Sequence, residues 1–486
     1  MFIKSIIIEN FKGFYGINDL TFNTPDGINE GSGLNLFVGE NNSGKSTVFE
    51  ALDFIKDGTK KDPASLINKS DSTVALNNFS IEVSYTGNIA DSFNAHAQPN
   101  KRTSFLNAVY ENDEGQFFKV KRSWDENLPD NIKKINFWDN NIENYSNPSG
   151  IDAPFKKLYD NNFIWADTNP SNESKFGAST ICGSLLKEIA LGHTNTPEYQ
   201  SFQSSYHSLF NNPESELRTK IAEIENMIQG VFSSQFGTAN ISFSFEELQI
   251  ENFFKTASII IDDGVSVPMS EKGHGMQRAV ALSLLQVYAE ITSTVENSAV
   301  SKPFYLFIDE PEICMHPTGQ KKLLDALMVI SKTKQVFVTT HSPFMLSSQK
   351  LKNTGLFIFK KENNKNIISK ASTSPMFPWS PSWGEISYRA YNLPTVDLHN
   401  ELYGFLQEKN SLTNISQVES FLRSRNFEFN KMWTQERSGV PQQPKPSTLQ
   451  SFIRNHIHHP ENETMQTNRY TEEELKQSID EMISLI

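Results

Sequence analysis

Cysteine is scarce: Cys182 and Cys314 are the two present in 486 residues. That excludes a disulfide framework and any cysteine-based metal spacing, and it fits a reducing cytoplasm. Long apolar runs are missing as well. No stretch of about 18 apolar residues exists, which predicts no membrane span and no membrane partner. The N-terminal Met1–Phe11 stretch is too short and too charged for a secretion signal, so the expected location is the cytoplasm. Positive charge is also short, with 44 Lys and Arg against 57 Asp and Glu for a net charge of −13. A general duplex-DNA binder would be basic, because phosphate contacts supply its affinity; a local basic patch stays compatible. No internal repeat is visible. What is present, 37% hydrophobic and 21% charged residues, is an ordinary globular composition with length for two or three domains.

One stretch organises the rest: Gly39-Glu40-Asn41-Asn42-Ser43-Gly44-Lys45-Ser46-Thr47. The apolar Leu34–Val38 run before it reads as a strand, and Thr47–Ile55 after it reads as a helix. Strand, glycine-rich turn and helix are the required context of a P-loop. The glycines let the backbone wrap a phosphate chain with its N–H groups inward, and the helix N-terminus adds its dipole. Gly39, Asn41, Asn42, Ser43, Gly44, Lys45, Ser46 and Thr47 are the candidate nucleotide-binding residues. Lys45 is expected to reach the β- and γ-phosphates, and the Ser46 hydroxyl to ligate Mg²⁺.

Further along, Phe2–Phe14 reads as a strand and a bend, and Phe79–Tyr85 alternates like a half-exposed strand. Thr103–Tyr110 and Gln116–Trp124 read as a strand pair. The Asn-, Asp- and Pro-rich span 125–154 reads as loop. Phe163–Asp167 is strand-like. A helical region is expected from Thr180 to about Phe236, with Leu217, Ile221, Ile224 and Ile228 at helical spacing. Thr238–Phe245 and Ala257–Asp262 read as strands. Ser270-Glu271-Lys272-Gly273-His274-Gly275-Met276-Gln277-Arg278 then opens an apolar helix expected over 279–291, again anion-binding geometry. Gly355–Lys360 is a last strand, and Pro375–Pro381 reads as a linker by its prolines. The pair Tyr388-Arg389-Ala390-Tyr391 and Glu401–Phe405 reads as packing between domains.

Two apolar strands end on chemistry. Phe304–Ile308 ends on Asp309 and Glu310, and Gln335–Thr340 ends on His341. A strand-end carboxylate such as Asp309 can hold Mg²⁺, and Glu310, on the opposite side of the strand, is the candidate base for the attacking water. His341 is the candidate γ-phosphate sensor. Each alone would be unremarkable, an acidic strand end and a core histidine; together with the P-loop they converge on ATP hydrolysis.

These motifs, from the P-loop through Gly273–Arg278 and Leu306–Glu312 to Thr340-His341-Ser342, resemble an ABC-type ATPase head of the RecF/Rad50/SMC-like and OLD-like group. The resemblance covers about residues 1–348. It implies two heads closing on two ATP molecules, with Ser270, Gly273 and Gly275 of one copy capping the γ-phosphate held by the other. Glu312 and His316 fall in the stretch that resembles the group's dimer-crossing loop. The Ser-Gly-Gly start of the family turn is replaced here by Ser270-Glu271-Lys272, which leaves open which residue touches the partner's ATP. No acidic Toprim pattern follows His341, so the OLD-like nuclease chemistry does not carry over.

Near the C-terminus, Ser447–Gln450 reads as a capping box, followed by an apolar stripe of Leu449, Phe452, Ile453 and Ile457. Arg454, Asn455, His458 and His459 are expected to project away from or beside that stripe. Arg454-Asn455-His456-Ile457-His458-His459 is similar to the Arg-Asn-x-x-x-His motif of HEPN ribonucleases. That resemblance implies metal-free RNA cleavage, with Arg454 on the phosphate and His459 as acid or base; helix spacing puts His458 nearer Arg454. The other reading is that these histidines only complement a helix end. Thr471–Glu474 reads as a second capping box.

The expected fold is α/β: an ABC-type P-loop head over 1–348 with a short helical arm at about 180–237, edge strands and linker over 349–385, and a HEPN-like helical domain over 386–486. The expected function is a dimeric, ATP- and Mg²⁺-dependent ATPase of a bacterial anti-phage defence or toxin system, whose nucleotide state gates the C-terminal ribonuclease on tRNA or other RNA. Two alternatives stand beside it. One is a regulatory scaffold that holds or releases a separate effector or inhibitor protein encoded nearby. The other is a RecF/Rad50-like DNA-repair ATPase.

Overall fold

The computed structural model describes residues 1–58, 61–69, 76–165, 196–236, 240–243, 245, 258–277, 279–280, 283–284, 287, 302–347 and 349–486. The chain divides into two compact units, Met1–Ala166 with Ala289–Ile486, and Asp167–Tyr288 between them in sequence.

The first unit starts with strands β1 (Phe2–Glu9), β2 (Ile17–Thr21) and β3 (Leu34–Gly39), then helix α1 (Lys45–Asp57) and β4 (Asn78–Thr86). Helices α2 (Ile89–His96) and α3 (Arg102–Leu106) lead to β5 (Tyr110–Asn112), β6 (Gly115–Asp125), β7 (Asn136–Asp139) and β8 (Asn144–Ser146), then α4 (Asp152–Lys156) and β9 (Asp160–Ile164). The second unit holds helices α5 (Pro197–Asn211) and α6 (Glu216–Phe236) and the hairpin β10 (Ile260–Asp262) and β11 (Ser266–Pro268). The first unit resumes with β12 (Phe304–Asp309), α7 (Pro317–Ile330), β13 (Gln335–Thr339), α8 (Pro343–Leu346), β14 (Gly355–Glu362) and β15 (Lys365–Lys370).

Two sheets result. One is antiparallel, in the order β2-β1-β4-β6-β7-β8 with β5 paired to β6. The other runs β15-β14-β3-β13-β12-β9 and is parallel except for its β15 edge. The central strands β3, β12 and β13 are buried at every position, which is why they read as continuous apolar runs. Phenylalanine fills the space beside them. Phe37 packs against Phe49, Phe337, Phe357 and Phe359, and Phe11 against Phe54 and Phe79. Polar clamps complete the core. Gln335 accepts from the Ile3 N–H at 2.7 Å and donates to the Ile3 carbonyl at 2.7 Å, tying β1 to β13. The fully buried Arg122 donates to the Ile55 carbonyl at 3.1 Å, closing a carbonyl of the last turn of α1, and to that of Ile132.

The remaining chain forms α9 (Trp383–Tyr391), α10 (Val396–Lys409), α11 (Ile415–Ser424), two short ribbons within Lys431–Ser447, α12 (Leu449–His458) and α13 (Glu472–Ile483). Leu398, Leu402, Leu422, Phe452, Ile453, Ile479 and Met482 make its core.

Several expectations are corrected. β4 is not half-exposed: Ser80 and Ser84 are buried, with Ser80 Oγ donating to the cross-strand Glu9 carboxylate at 2.7 Å. Residues 102–106 are helical, since Phe105 packs on Phe93 and Phe137 rather than pairing edgewise. The 125–154 span is not loop: β7 and β8 extend the antiparallel sheet, anchored by Phe137 on Phe118. One or two aromatic rings per short strand leave no periodicity to read. Asn240–Phe243 is not strand. Pro375–Pro381 is no free linker, because Phe377 is buried and stacks on Trp379 against Phe405. The expected helix at 180–189, Cys182, Arg278 and most of 279–291 lie outside the described residues.

Candidate functional site

Parallel pairing brings the C-terminal ends of β3, β12 and β13 to one level. Asp309 lies opposite Thr339, and Thr339 opposite Phe37. Open parallel sheets bind ligands at this edge. The loop from β3 to α1 turns through positive φ at Gly39 (151°), Asn42 (60°) and Gly44 (99°). A side chain at Gly39 would run into the carbonyl of Phe359 on β14. Gly44 caps α1 in the left-handed region, so the helix begins at Lys45 with free N–H groups facing the loop. Lys45 Nζ donates to the Gly39 and Glu40 carbonyls at 3.0 and 2.9 Å. Burial lowers its pKa, opposed by the carboxylates of Glu310, Asp309 and Glu312.

Ser46 Oγ donates to Asp309 Oδ1 at 2.8 Å, and Thr339 Oγ1 donates to the same oxygen at 2.6 Å. Two oxygen donors on different elements are thus fixed side by side, a set suited to a hard cation. Among the described residues no three His, Cys, Asp or Glu side chains cluster to hold a metal alone. A Ser–Asp pair completed by phosphate oxygens is how Mg²⁺ is usually held. Thr339 escaped the sequence reading; its only signal was a hydroxyl at the end of an apolar strand.

Glu310 sits just past β12 with φ 46°, so strand alternation does not govern it and the expected opposite-side placement does not apply. Its backbone N–H is fixed by the Thr339 hydroxyl at 2.9 Å and carbonyl at 3.1 Å. Its Oε1 lies 3.4 Å from His341 Nε2. Burial, then the Lys45 charge, depress the His341 imidazole below 6.5 despite Glu310, which keeps it neutral at pH 7. Glu312, read only as part of a crossing loop, accepts the His341 backbone N–H at 2.6 Å and is raised in pKa by burial. His316 caps α7, accepting from the Thr318 N–H at 3.3 Å.

In the second unit, the Ser270–Gly273 turn is braced by the buried Gln277, whose Nε2 donates to the Ser270 and Lys272 carbonyls at 3.3 and 2.6 Å. Helix starts at His274, so Gly275 lies in its first turn; Gly273 is exposed, with open space around its Cα.

At the C-terminus the cap of α12 is Thr448, not Ser447: its hydroxyl accepts from the Ser451 N–H. Ser447 ends a ribbon strand instead. The second box, Thr471 with Glu474, forms as read. Asn455 is buried, contrary to the projecting placement expected, and so is His456, whose ring sits against Trp433, Phe452 and Tyr470. Arg454 Nη1 donates to Asn455 Oδ1 at 3.3 Å. His458 is largely exposed; the desolvation of the part that is covered, then the charges of Arg454 and His459, hold it below 6.5. His459 lies past the helix end, paired with Glu461 at 3.1 Å.

Residues 1–180 and 183–346 match the AAA ATPase domain family. The Old nuclease of Escherichia phage P2 is 26% identical over 346 residues, which is 68% of this chain and 56% of that protein. The chain therefore spans about half the length of that relative. Among solved structures, an SMC head bound to the C-winged-helix domain of ScpA is 13% identical, with a TM-score of 0.42 over 76% of this chain and 98% of that one. The SMC head domain from Thermotoga maritima gives 13% and 0.36, over 76% and 99%. No described helix is long and apolar enough to cross a membrane.

Proposed function

The chain belongs to the AAA ATPase domain family, and from that premise we propose that it is a dimeric ATPase of anti-phage defence whose nucleotide state gates a HEPN-like ribonuclease at its C-terminus. The observation that carries the ATPase half is the convergence of Ser46, Asp309 and Thr339 beside Lys45, with Glu310 and His341 completing the edge. Ser46 and Asp309 would hold Mg²⁺, which would supply positive charge against the phosphate oxygens. Lys45 leaves the loop carbonyls for the phosphates. Glu310 takes a proton from water as its oxygen bonds to the γ-phosphorus and the bond to the ADP oxygen breaks. Neutral His341 orients that water or a γ-phosphate oxygen. The exposed Gly273 turn of a second copy caps the γ-phosphate.

The ribonuclease half rests on Arg454 beside His458 at the end of α12. Arg454 stabilises the developing phosphate charge, and His458 or His459 moves the proton of the RNA 2′-hydroxyl. Arg454→Ala, His458→Ala and His459→Ala separate the halves. At least Arg454→Ala and one histidine variant lose cellular toxicity and RNA cleavage, while ATP turnover stays within about twofold. Full toxicity in all three assigns the effector to a separate protein.

A further inference from the structure

Two side chains from outside the first 348 residues reach the nucleotide edge: Asn366, which lies against Gly44, and Tyr391. Tyr391 closes α9, and its ring centre lies 6.0 Å from that of His341 at an angle of 33°. Its hydroxyl is buried, and among the described residues no acceptor takes its proton. The Gly39 backbone and the carboxylates of Glu312 and Glu310 lie around it. Burial, followed by Glu312, raises the phenol above its ordinary value, so the oxygen keeps its proton and stands as a donor lacking an acceptor. Leaving such a group unpaired is costly, and a phosphate oxygen is the acceptor this edge is built to receive.

The same helix reaches the other way. Tyr388, one turn earlier, donates to Asp480 on α13, and α13 packs on α10 and α12. Asn392, in the left-handed region, ends α9 directly after Tyr391, and three residues later Thr395 caps α10.

We propose that Tyr391 is a nucleotide-binding residue that donates a hydrogen bond to the terminal phosphate of a bound triphosphate, and that α9 carries this contact to the C-terminal helices through Tyr388 and Asp480. The proposal rests on reading this edge as the ATP site. It makes the C-terminal domain a reader of triphosphate against diphosphate, since ADP supplies no oxygen at that place.

The test uses the full chain with magnesium, a non-hydrolysable ATP analogue and ADP. Tyr391→Phe keeps the ring and removes the donor; matched melting curves confirm its fold. Analogue affinity falls about tenfold while ADP affinity moves less than twofold, as expected for one hydrogen bond to a charged acceptor. Equal weakening of both ligands, or no change in either, overturns the assignment. Lys45→Ala controls the premise: it loses both nucleotides if the edge is the ATP site, and unaltered binding there sinks the premise rather than Tyr391 alone. Hydrogen exchange over 472–483 reads the coupling. The analogue, not ADP, protects these amides, and Tyr388→Phe abolishes that protection while keeping analogue affinity. Identical exchange with both nucleotides overturns the coupling.

Discussion

A single oxygen, Asp309 Oδ1, receives hydroxyls from Ser46 and Thr339, so the acid arrives at the cation position already oriented. Ser46 and Asp309 were readable because one follows a glycine–lysine pair and the other ends an apolar strand. Thr339 and Tyr391 were not, since nothing local distinguishes a threonine or tyrosine that packs from one that aims at a ligand. His399 shows what burial does to a side chain outside the site. It bonds Ser478 at 3.1 Å, and burial, then the His458 charge, lower its pKa from 6.5 to about 3. The unfolded chain binds this proton near 6.5 and the folded one only near 3, so stability is full above pH 6.5 and falls as the pH drops through that window. Urea melts are expected to lose about 1.4 kcal/mol per pH unit from this residue. In His399→Leu the acid slope flattens by that amount; an unchanged slope removes His399 as its source.

Elements are where turn chemistry decides. Thr448 serves α12 twice: its hydroxyl accepts from the Ser451 N–H at 3.3 Å and donates to Glu419 Oε1 at 3.0 Å. Glu419 also accepts from the Thr448 N–H and from Ser447 Oγ, each at 3.1 Å. Thr448→Ala removes the cap and one partner of a part-buried carboxylate, and is expected to cost about 1–2 kcal/mol in chemical denaturation. Thr448→Ser restores most of it, and ATP turnover is untouched in both. The capping residue was misplaced by one position in the sequence reading because Ser447 and Thr448 are both good caps; strand pairing of Lys431 with Ser447 makes the choice. In β7 and β8 likewise, pairing supplied the order that their composition hides.

For the whole molecule, the proposed dimer places the exposed turn around Gly273 of one copy against the nucleotide of the other. Glu310→Gln removes the base without removing the binding residues, so hydrolysis drops by about 10²–10⁴-fold while ATP stays bound. Light scattering is expected to show the mass doubling when ATP and magnesium are added to this variant, and to return to the monomer with ADP. A nucleotide-loaded variant that stays monomeric contradicts the paired heads. The −13 net charge makes like copies repel at long range, so the doubling strengthens as salt screens them.

From its order of residues alone, this chain declares a P-loop, two acid- and histidine-tipped strands and two capped C-terminal helices. Each is a local pattern in which a few neighbours carry both the structure and the chemistry. Tertiary structure decided what those patterns share. Parallel pairing levels Asp309 with Thr339, partial burial and the nearby Lys45 charge keep His341 neutral, and the end of α9 brings Tyr391 to the P-loop. These depend on residues tens to hundreds of positions apart, whose contact is set by the core between the sheets and by no spacing along the chain.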